Sequence, residues 1–265
     1  MRRLVRAGTG AGGELALHRV YHRFLRRAGW FTPPEDAPTL AILSLLASRA
    51  RTILDVGANT GRYAHLFLEA ASPEATLHAF EPHPGARALL EANTGHDRRV
   101  RSHPFALGAA DAESALAVPV DGLGNPITAL AHLGAPAPGE ISLPVRVRSL
   151  DGLVEADEIT LAAPVLAKID VEGHEAAVLA GARTLLDARA WVYFESQTSH
   201  LERTSGGSPW PALRAAGYEV IARAGNGWRR CDAPVEERPN YLAVPPGVIP
   251  AGYLSQAAVV AALAG

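Results

Sequence analysis

The sequence predicts an α/β fold with a Rossmann-like, mostly parallel sheet that is covered by helices on both faces. Short apolar runs alternate along the chain with segments of helical periodicity. The first such run, residues 52–56, leads into a glycine-rich turn that opens a helix, and the next one ends in an acid, Glu81. Strands separated by helices are typical of a parallel sheet buried on both sides.

The predicted elements follow in order along the chain. Strands are expected at residues 52–56, 76–81, 100–106, 165–171, 190–195, 218–222 and 241–244, the last as a reversed edge strand. Helices are expected at 61–71, 84–93, 175–187 and 210–216, with 14–28 and 38–50 forming an N-terminal helical cap. Residues 116–120 and 141–147 flank a Gly/Pro-rich loop and predict a β-rich insertion over the ligand edge of the sheet.

These elements suggest three parts. Residues 1–50 form the cap, 51–244 the main domain with its insertion at 115–148, and 245–265 a C-terminal extension. The apolar side chains at 253–260 are compatible with packing onto the domain or with a homo-oligomer contact.

Composition limits the partners and the compartment. A net charge of −2 gives no electrostatic reason to expect nucleic acid as a partner. The single cysteine, Cys231, excludes an internal disulfide. The last apolar stretch, 257–264, is far shorter than the roughly 20 residues of a membrane span, and no apolar export segment follows the N-terminal arginines. We therefore expect a cytoplasmic protein with no membrane span.

The glycine-rich turn indicates which ligand the sheet binds. It reads Gly57-x-x-x-Gly61 and lacks the middle glycine that lets a dinucleotide pyrophosphate come close. Asp55 is expected to place a negative charge at the mouth of the site, where it repels phosphates and favours a sulfonium or an ammonium group. Glu81 is positioned to bind ribose hydroxyls. The pattern therefore predicts S-adenosylmethionine as the cofactor.

A second group of polar residues closes the strand at 165–171. Lys168, the only lysine in the chain, shares a strand face with Asp170, so it is expected to pair with Asp170 or Glu195. Asp170, helped by Glu172 or His174, is expected to accept the proton of an alcohol or to hold a divalent ion. His174 is equally compatible with an ordinary first-turn helix residue. Mg²⁺ suits these donors, but their spacing does not demand a metal, and we predict no metal ligand set.

With both groups in view, the chain resembles the FkbM-type methyltransferases. The resemblance runs from residue 53 to about 244 and rests on the order of ILDVGANTG, AFEPHP and LAKIDVEGHEAAVLAGA. It implies a class I methyltransferase fold and methyl transfer from S-adenosylmethionine, usually to a hydroxyl of a natural product, a sugar or another small-molecule acceptor, and occasionally to a carboxyl group. The predicted cofactor-binding residues are Asp55, Gly57, Ala58, Asn59, Gly61, Glu81, Pro82, Ala106, Leu107 and Asp170. The predicted catalytic residues are Asp170, Lys168, Glu172, His174 and Glu195.

Two other functions remain open at this point. An NAD-dependent oxidoreductase shares the strand–turn–helix–strand–acid layout, but the glycine spacing, Asp55 and the lack of a Tyr-x-x-x-Lys pair disfavour it. A non-catalytic module that only binds the cofactor is disfavoured by Lys168 and Asp170, which such a module would not need.

Overall fold

The structure is a computed structural model that describes residues 33–95, 97–196, 207–235, 240–249, 252 and 254–265. The helix predicted at residues 14–28 lies outside the described residues. The second helix of the predicted cap is present as α1 (Ala37–Arg49), and Asp36 is its N-cap residue. The Asp36 carboxylate caps this helix by accepting a hydrogen bond from the backbone N–H of Thr39 at 2.9 Å.

The main sheet has nine strands. They are β1 (Thr52–Val56), β2 (Thr76–Phe80), β3 (Val100–His103), β8 (Val165–Ile169), β9 (Trp191–Glu195), β10 (Glu219–Ala224), β11 (Gly227–Arg230), β12 (Asn240–Val244) and β13 (Leu254–Ser255). The second sheet contains β4 (Ala106–Leu107), β5 (Ala112–Val118), β6 (His132–Leu133) and β7 (Ile141–Arg148). The other helices are α2 (Arg62–Ala70), α3 (Pro84–Thr94), α4 (Leu150–Glu155), α5 (Glu175–Ala180), α6 (Arg183–Asp187), α7 (Trp210–Ala215) and α8 (Gln256–Ala264).

The main sheet has the order β13-β11-β10-β12-β9-β8-β1-β2-β3. The five strands from β9 to β3 are parallel, and the pairings from β9 through β12, β10 and β11 to β13 are antiparallel. The predicted α/β class is therefore confirmed, and so is the reversal of the strand at 241–244.

Two details of the predicted sheet are wrong. β12 lies between β9 and β10 rather than at an edge, and half of the strand pairings are antiparallel. One antiparallel pairing comes from a tight hairpin at Gly225-Asn226, where Gly225 has φ +54°, which joins β10 to β11. This hairpin and β13 extend the sheet beyond the predicted edge.

Helices cover both faces of this sheet and bury its central strands completely. Every residue of β1 and β8 is buried, as their unbroken runs of mostly apolar side chains predict. One apolar cluster lies between the sheet and α4 to α7, and the other contains residues of α1, α2 and α8. Leu254 and Val259 of the C-terminal segment belong to the second cluster, so this segment packs onto the domain. No helix of the described part of the chain is long and apolar enough to cross a membrane.

Residues 106–148 build the second sheet, in the order β4-β7-β5-β6. The strand predicted at 100–106 is wrong in its extent, because β3 ends at His103 and the chain then enters the second sheet at Ala106. Pro104 follows β3 directly and cannot donate a ladder hydrogen bond. The helix predicted at 175–187 is divided into α5 and α6 at Gly181, where an added Cβ would lie 2.1 Å from the carbonyl oxygen of Gly108.

Candidate active site

The glycine turn after β1 is packed against the end of β8. Gly57 has φ +75°, and a Cβ added there would lie 1.9 Å from the carbonyl oxygen of Asp170. Gly61 has φ +87°, and its added Cβ would lie 2.8 Å from Leu90 Cδ1. Both positions therefore need glycine, for the backbone angle and for the close approach. The side chain of Asn93 supports the turn by donating to the carbonyl oxygen of Thr60 at 2.8 Å.

Glu81 stands at the end of β2 and is held by backbone N–H groups. The N–H of Asn59 donates to Oε2 at 2.8 Å, and the N–H of His83 donates to Oε1 at 2.7 Å. The residue is 7% exposed. Burial raises the pKa of Glu81 to about 7, although the two N–H groups oppose this shift. The carboxyl group is thus fixed in orientation and close to titration at neutral pH.

Lys168 joins the end of β8 to the turn. Its Nζ donates to the carbonyl oxygens of Gly57 at 2.7 Å and of Val56 at 3.3 Å. The same Nζ lies 3.4 Å from Asp55 Oδ1 and 3.5 Å from Asp170 Oδ2. The expected pairing of Lys168 with Asp170 is therefore present.

Asp55 is not at the mouth of the site, contrary to the sequence-based expectation. It is fully buried and lies beside Lys168 rather than on the cavity wall. Burial raises the pKa of Asp55, and the charge of Lys168 opposes that shift. Burial alone would lower the pKa of Lys168, but the charges of Asp170 and Asp55 outweigh it and raise that pKa. Asp55 can therefore act on a ligand only through Lys168.

A cavity of about 540 Å³ opens beyond the carboxyl ends of β1, β2, β8 and β9. This edge is where ligands bind in open α/β sheets. The predicted site residues that line the cavity are Gly57, Ala58, Asn59, Glu81, Pro82, Ala106, Leu107, Lys168, Asp170, Glu172 and Glu195. Among the described residues, Asp55, Gly61 and His174 were predicted for the site and do not line the cavity.

The two ends of the cavity differ in chemistry. At the β2 end, Glu81 is accompanied by the apolar side chains of Phe80, Pro82, Ala106 and Leu107. At the β8–β9 end, Asp170, Glu172 and Glu195 each offer a carboxylate oxygen, and these oxygens lie within 4.8 Å of one another. Strands β2 and β9 are three steps apart in the sheet, which separates the two ends by about 14 Å.

The loop after β8 holds Glu172 in an unusual backbone conformation. Glu172 has φ +54°, in the left-handed region, and Gly173 follows with φ +101°. The buried carboxylate of Glu175 stabilises the loop by accepting from the N–H groups of Val171 at 3.1 Å and Gly173 at 3.2 Å. Backbone strain of this kind persists where surrounding contacts determine it, often at functional sites.

His174 lies beside the acidic end but is not among the residues that line the cavity. Its Nδ1 is buried and makes no hydrogen bond within the described residues. Burial, followed by the nearby His132, lowers the pKa of His174. This placement gives the imidazole no direct route to a ligand in the cavity.

The cavity-lining residues that were not predicted from the sequence include Glu35, Tyr63, Thr128 and Asn240. Glu35, Thr128 and Asn240 come from distant parts of the chain and carry no local signal. Tyr63 carries a weak signal, because it is an aromatic residue with a polar tip in the first turn of the helix that follows the glycine turn. Thr128 Oγ1 donates to Asn59 Oδ1 at 3.3 Å and so links the insertion to that turn.

Comparison with known proteins agrees with this geometry. The family model described as methyltransferase FkbM domain matches residues 55–231, from Asp55 at the end of β1 to Cys231 just after β11. No match was found among curated proteins.

Solved structures of methyltransferases resemble the chain at low sequence identity. One is the O-methyltransferase TomG from Streptomyces achromogenes, which is involved in tomaymycin synthesis and was solved in complex with S-adenosylmethionine. Its sequence is 15% identical and its TM-score is 0.45, and the match covers 88% of this chain and 89% of TomG. An S-adenosylmethionine-dependent O-methyltransferase from Thermotoga maritima is 12% identical with a TM-score of 0.42, and the match covers 81% of this chain and 67% of that protein. Because the family model spans about two thirds of the 265 residues, this chain belongs to the FkbM methyltransferase family.

Proposed function

We propose that this protein transfers a methyl group from S-adenosylmethionine to a hydroxyl oxygen of a small molecule, such as a natural product or a sugar. Membership of the FkbM family supports methyl transfer. The observation that carries the proposal is the position of Glu81. It is oriented by the N–H of Asn59 in the glycine turn and opens on the same cavity as Asp170.

The residues of the cavity fit this cofactor. The apolar group at the β2 end suits an adenine ring, and the adjacent Glu81 suits the ribose hydroxyls. The carboxylates at the other end favour the sulfonium and ammonium groups, and they would repel the pyrophosphate of NAD. The volume of about 540 Å³ lies within the range of small-molecule sites.

When bound, S-adenosylmethionine supplies a methyl group that is already activated by a sulfonium. The protein must then align an acceptor oxygen about 3 Å from that methyl group and remove its proton. We assign the proton transfer to Asp170, whose side chain is 36% exposed and is oriented by Lys168 Nζ at 3.5 Å. A general base in this position contributes roughly 10²- to 10⁴-fold in rate. Asp55 and the carbonyl oxygen of Gly57 hold the ammonium of Lys168 from the other side.

The acidic end could also hold a divalent cation. Asp170, Glu172 and Glu195 supply oxygen donors of the kind that Mg²⁺ prefers. Turnover that survives EDTA would assign the proton transfer to the carboxylates alone. Turnover that EDTA abolishes and Mg²⁺ restores would add a metal to the proposed site.

Calorimetry with three ligands tests the proposal. S-adenosylmethionine and S-adenosylhomocysteine should each give a heat of binding, and NADH should give none. Binding of NADH alone would replace the proposal with an oxidoreductase. The oxidoreductase is the second candidate only because it shares the strand–turn–helix–strand–acid layout.

Two variants separate cofactor binding from chemistry. Glu81→Gln should raise the cofactor Kd more than Asp170→Asn does, whereas Asp170→Asn should slow methyl transfer roughly 10²- to 10⁴-fold. Glu74→Gln is the matched control, since Glu74 is exposed and precedes β2 at the opposite edge of the sheet. Weakened cofactor binding with unchanged turnover in Asp170→Asn would contradict the role given to Asp170.

A further inference from the structure

Glu35 is a cavity carboxylate that the proposed reaction does not use. It lies two residues before α1, and its place is fixed by its neighbour Asp36, which caps that helix. Asp36 also accepts from Arg223 Nε at 2.8 Å, so the segment is tied to β10 as well. Glu35 is therefore held rigidly at the cavity wall rather than placed there by a loose loop.

The hydrogen-bond partners of Glu35 are neutral donors. The Tyr63 hydroxyl donates to Oε1, and Asn240 Nδ2 donates to the same oxygen at 3.3 Å. The Tyr193 hydroxyl lies near this carboxylate and lowers its pKa, but it makes no hydrogen bond within the described residues. Because a carboxylate offers about four acceptor positions, a ligand can still bind to it. These donors orient the negative charge of Glu35 without neutralising it.

Glu35 lies at the β8–β9 end of the cavity, which we call the acceptor end because Asp170 lies there. Tyr193 lies on β9 and Asn240 begins β12, both on the far side of β8 from Glu81. Asp170, Glu172 and Glu195 line the same end. Of the two cations among the described residues of the cavity wall, Lys168 is shared with the buried Asp55, and Arg62 is exposed to solvent. Within the described part of the chain, the acceptor end therefore carries an excess of negative charge.

We propose that Glu35 selects the acceptor by binding a protonated amine on it, so that the substrate is an amino alcohol of the amino-sugar kind. The proposal rests on the proposed function and adds the class of its acceptor. Burial raises the pKa of Glu35, which Tyr63 and Tyr193 oppose, and the charge of Asp170 raises it further. A bound ammonium would relieve both effects, whereas an anionic acceptor would add to the repulsion.

Binding of three matched sugars to the full-length protein tests this assignment. The protein is saturated with S-adenosylhomocysteine in a buffer with EDTA, and glucosamine, glucose and glucuronate are titrated by saturation-transfer NMR. We expect glucosamine to bind about tenfold more tightly than glucose, because hydrogen bonds to charged groups are the stronger ones. Glucuronate should bind most weakly.

Variants of Glu35 then assign the preference to this side chain. Glu35→Gln should bind glucosamine and glucose equally, with the Kd of S-adenosylhomocysteine unchanged. Glu35→Asp keeps the charge and should retain a reduced preference, which provides a test if the first variant folds poorly. Glu74→Gln should behave as the parent protein.

Other outcomes would overturn the assignment. These are equal binding of the three sugars, binding of none, a preference that survives Glu35→Gln, or a preference that disappears when Mg²⁺ replaces EDTA. If S-adenosylhomocysteine itself does not bind, the proposed function fails first. If it binds and the amine preference is absent, only the role of Glu35 fails.

Discussion

Replacing Lys168 by Met should destabilise the protein strongly, because it leaves a buried charge without its partner. Lys168 is 2% exposed, and the Asp55 side chain 3.4 Å away is 0% exposed. Removing one partner of a buried ion pair costs about 3–5 kcal/mol. The variant also loses the hydrogen bonds to the carbonyl oxygens of Val56 and Gly57.

Thermal and urea denaturation of Lys168→Met measure this loss. For a chain of this size, each kcal/mol lowers Tm by about 2–4 °C, so we expect a fall of roughly 6–20 °C. The loss should shrink at acidic pH, where Asp55 becomes protonated and no longer needs the ammonium. The double variant with Asp55→Asn should recover part of the stability, since the unpaired charge is gone.

The exposed pair of Arg183 and Asp187 provides the control. Arg183 Nε lies 3.8 Å from Asp187 Oδ2, and the two side chains are 84% and 72% exposed. Arg183→Met should therefore lower the free energy of unfolding by no more than about 1 kcal/mol. The reasoning is refuted if Lys168→Met is no more destabilising than this control. It is also refuted if the two replacements in the double variant simply add.

Three further predictions concern the turn, the ribose acid and a buried histidine pair. Gly57→Ala should weaken cofactor binding and lower Tm far more than Gly124→Ala, because both glycines have φ near +75° but only the first faces a backbone oxygen at 1.9 Å. Cofactor affinity measured by calorimetry should rise from pH 6 to a plateau near pH 8, because Glu81 ionises with a pKa of about 7. One pH unit below that pKa, binding should be roughly tenfold weaker. Glu81→Gln should remove this pH dependence. His78 and His103 are stacked, with a 3.0 Å contact between ring nitrogens. Burial lowers the pKa of each to about 4, below the ordinary value of 6.5. The free energy of unfolding is therefore highest above pH 6.5 and falls as the pH falls from 6.5 towards 4. In His78→Leu the acid-side fall of the unfolding free energy should be shallower by up to about 3 kcal/mol, and an unchanged pH profile would contradict this.

The positions of the glycine turn and of Glu81 in the candidate site could be predicted from the sequence. Gly57 and Glu81 follow directly from strands whose apolar runs are unmistakable, and carboxyl ends of parallel strands must meet at one edge. The position of Asp170 follows from the same rule. These predictions depend on local pattern and on the period of a strand, which the chain carries in consecutive residues.

The exact position of Asp55 depended on tertiary packing. A carboxylate at the end of a strand can face the cavity or the interior, and its neighbours in the sequence do not decide between them. In the structure, Lys168 lies close enough to neutralise Asp55 in the interior. Only the register between β1 and β8, with Asp55 opposite Lys168, creates that pair.

What the sequence by itself determined is the α/β class, the glycine turn and the acidic strand ends, because each is encoded within a few consecutive residues. Only the tertiary structure decided which distant segments reach the cavity, where Glu35, Tyr63, Thr128 and Asn240 arrive from separate elements. The same holds for the insertion of β12 between β9 and β10. Contacts between segments that are far apart in the chain depend on the packing of the whole fold, and no local pattern records them.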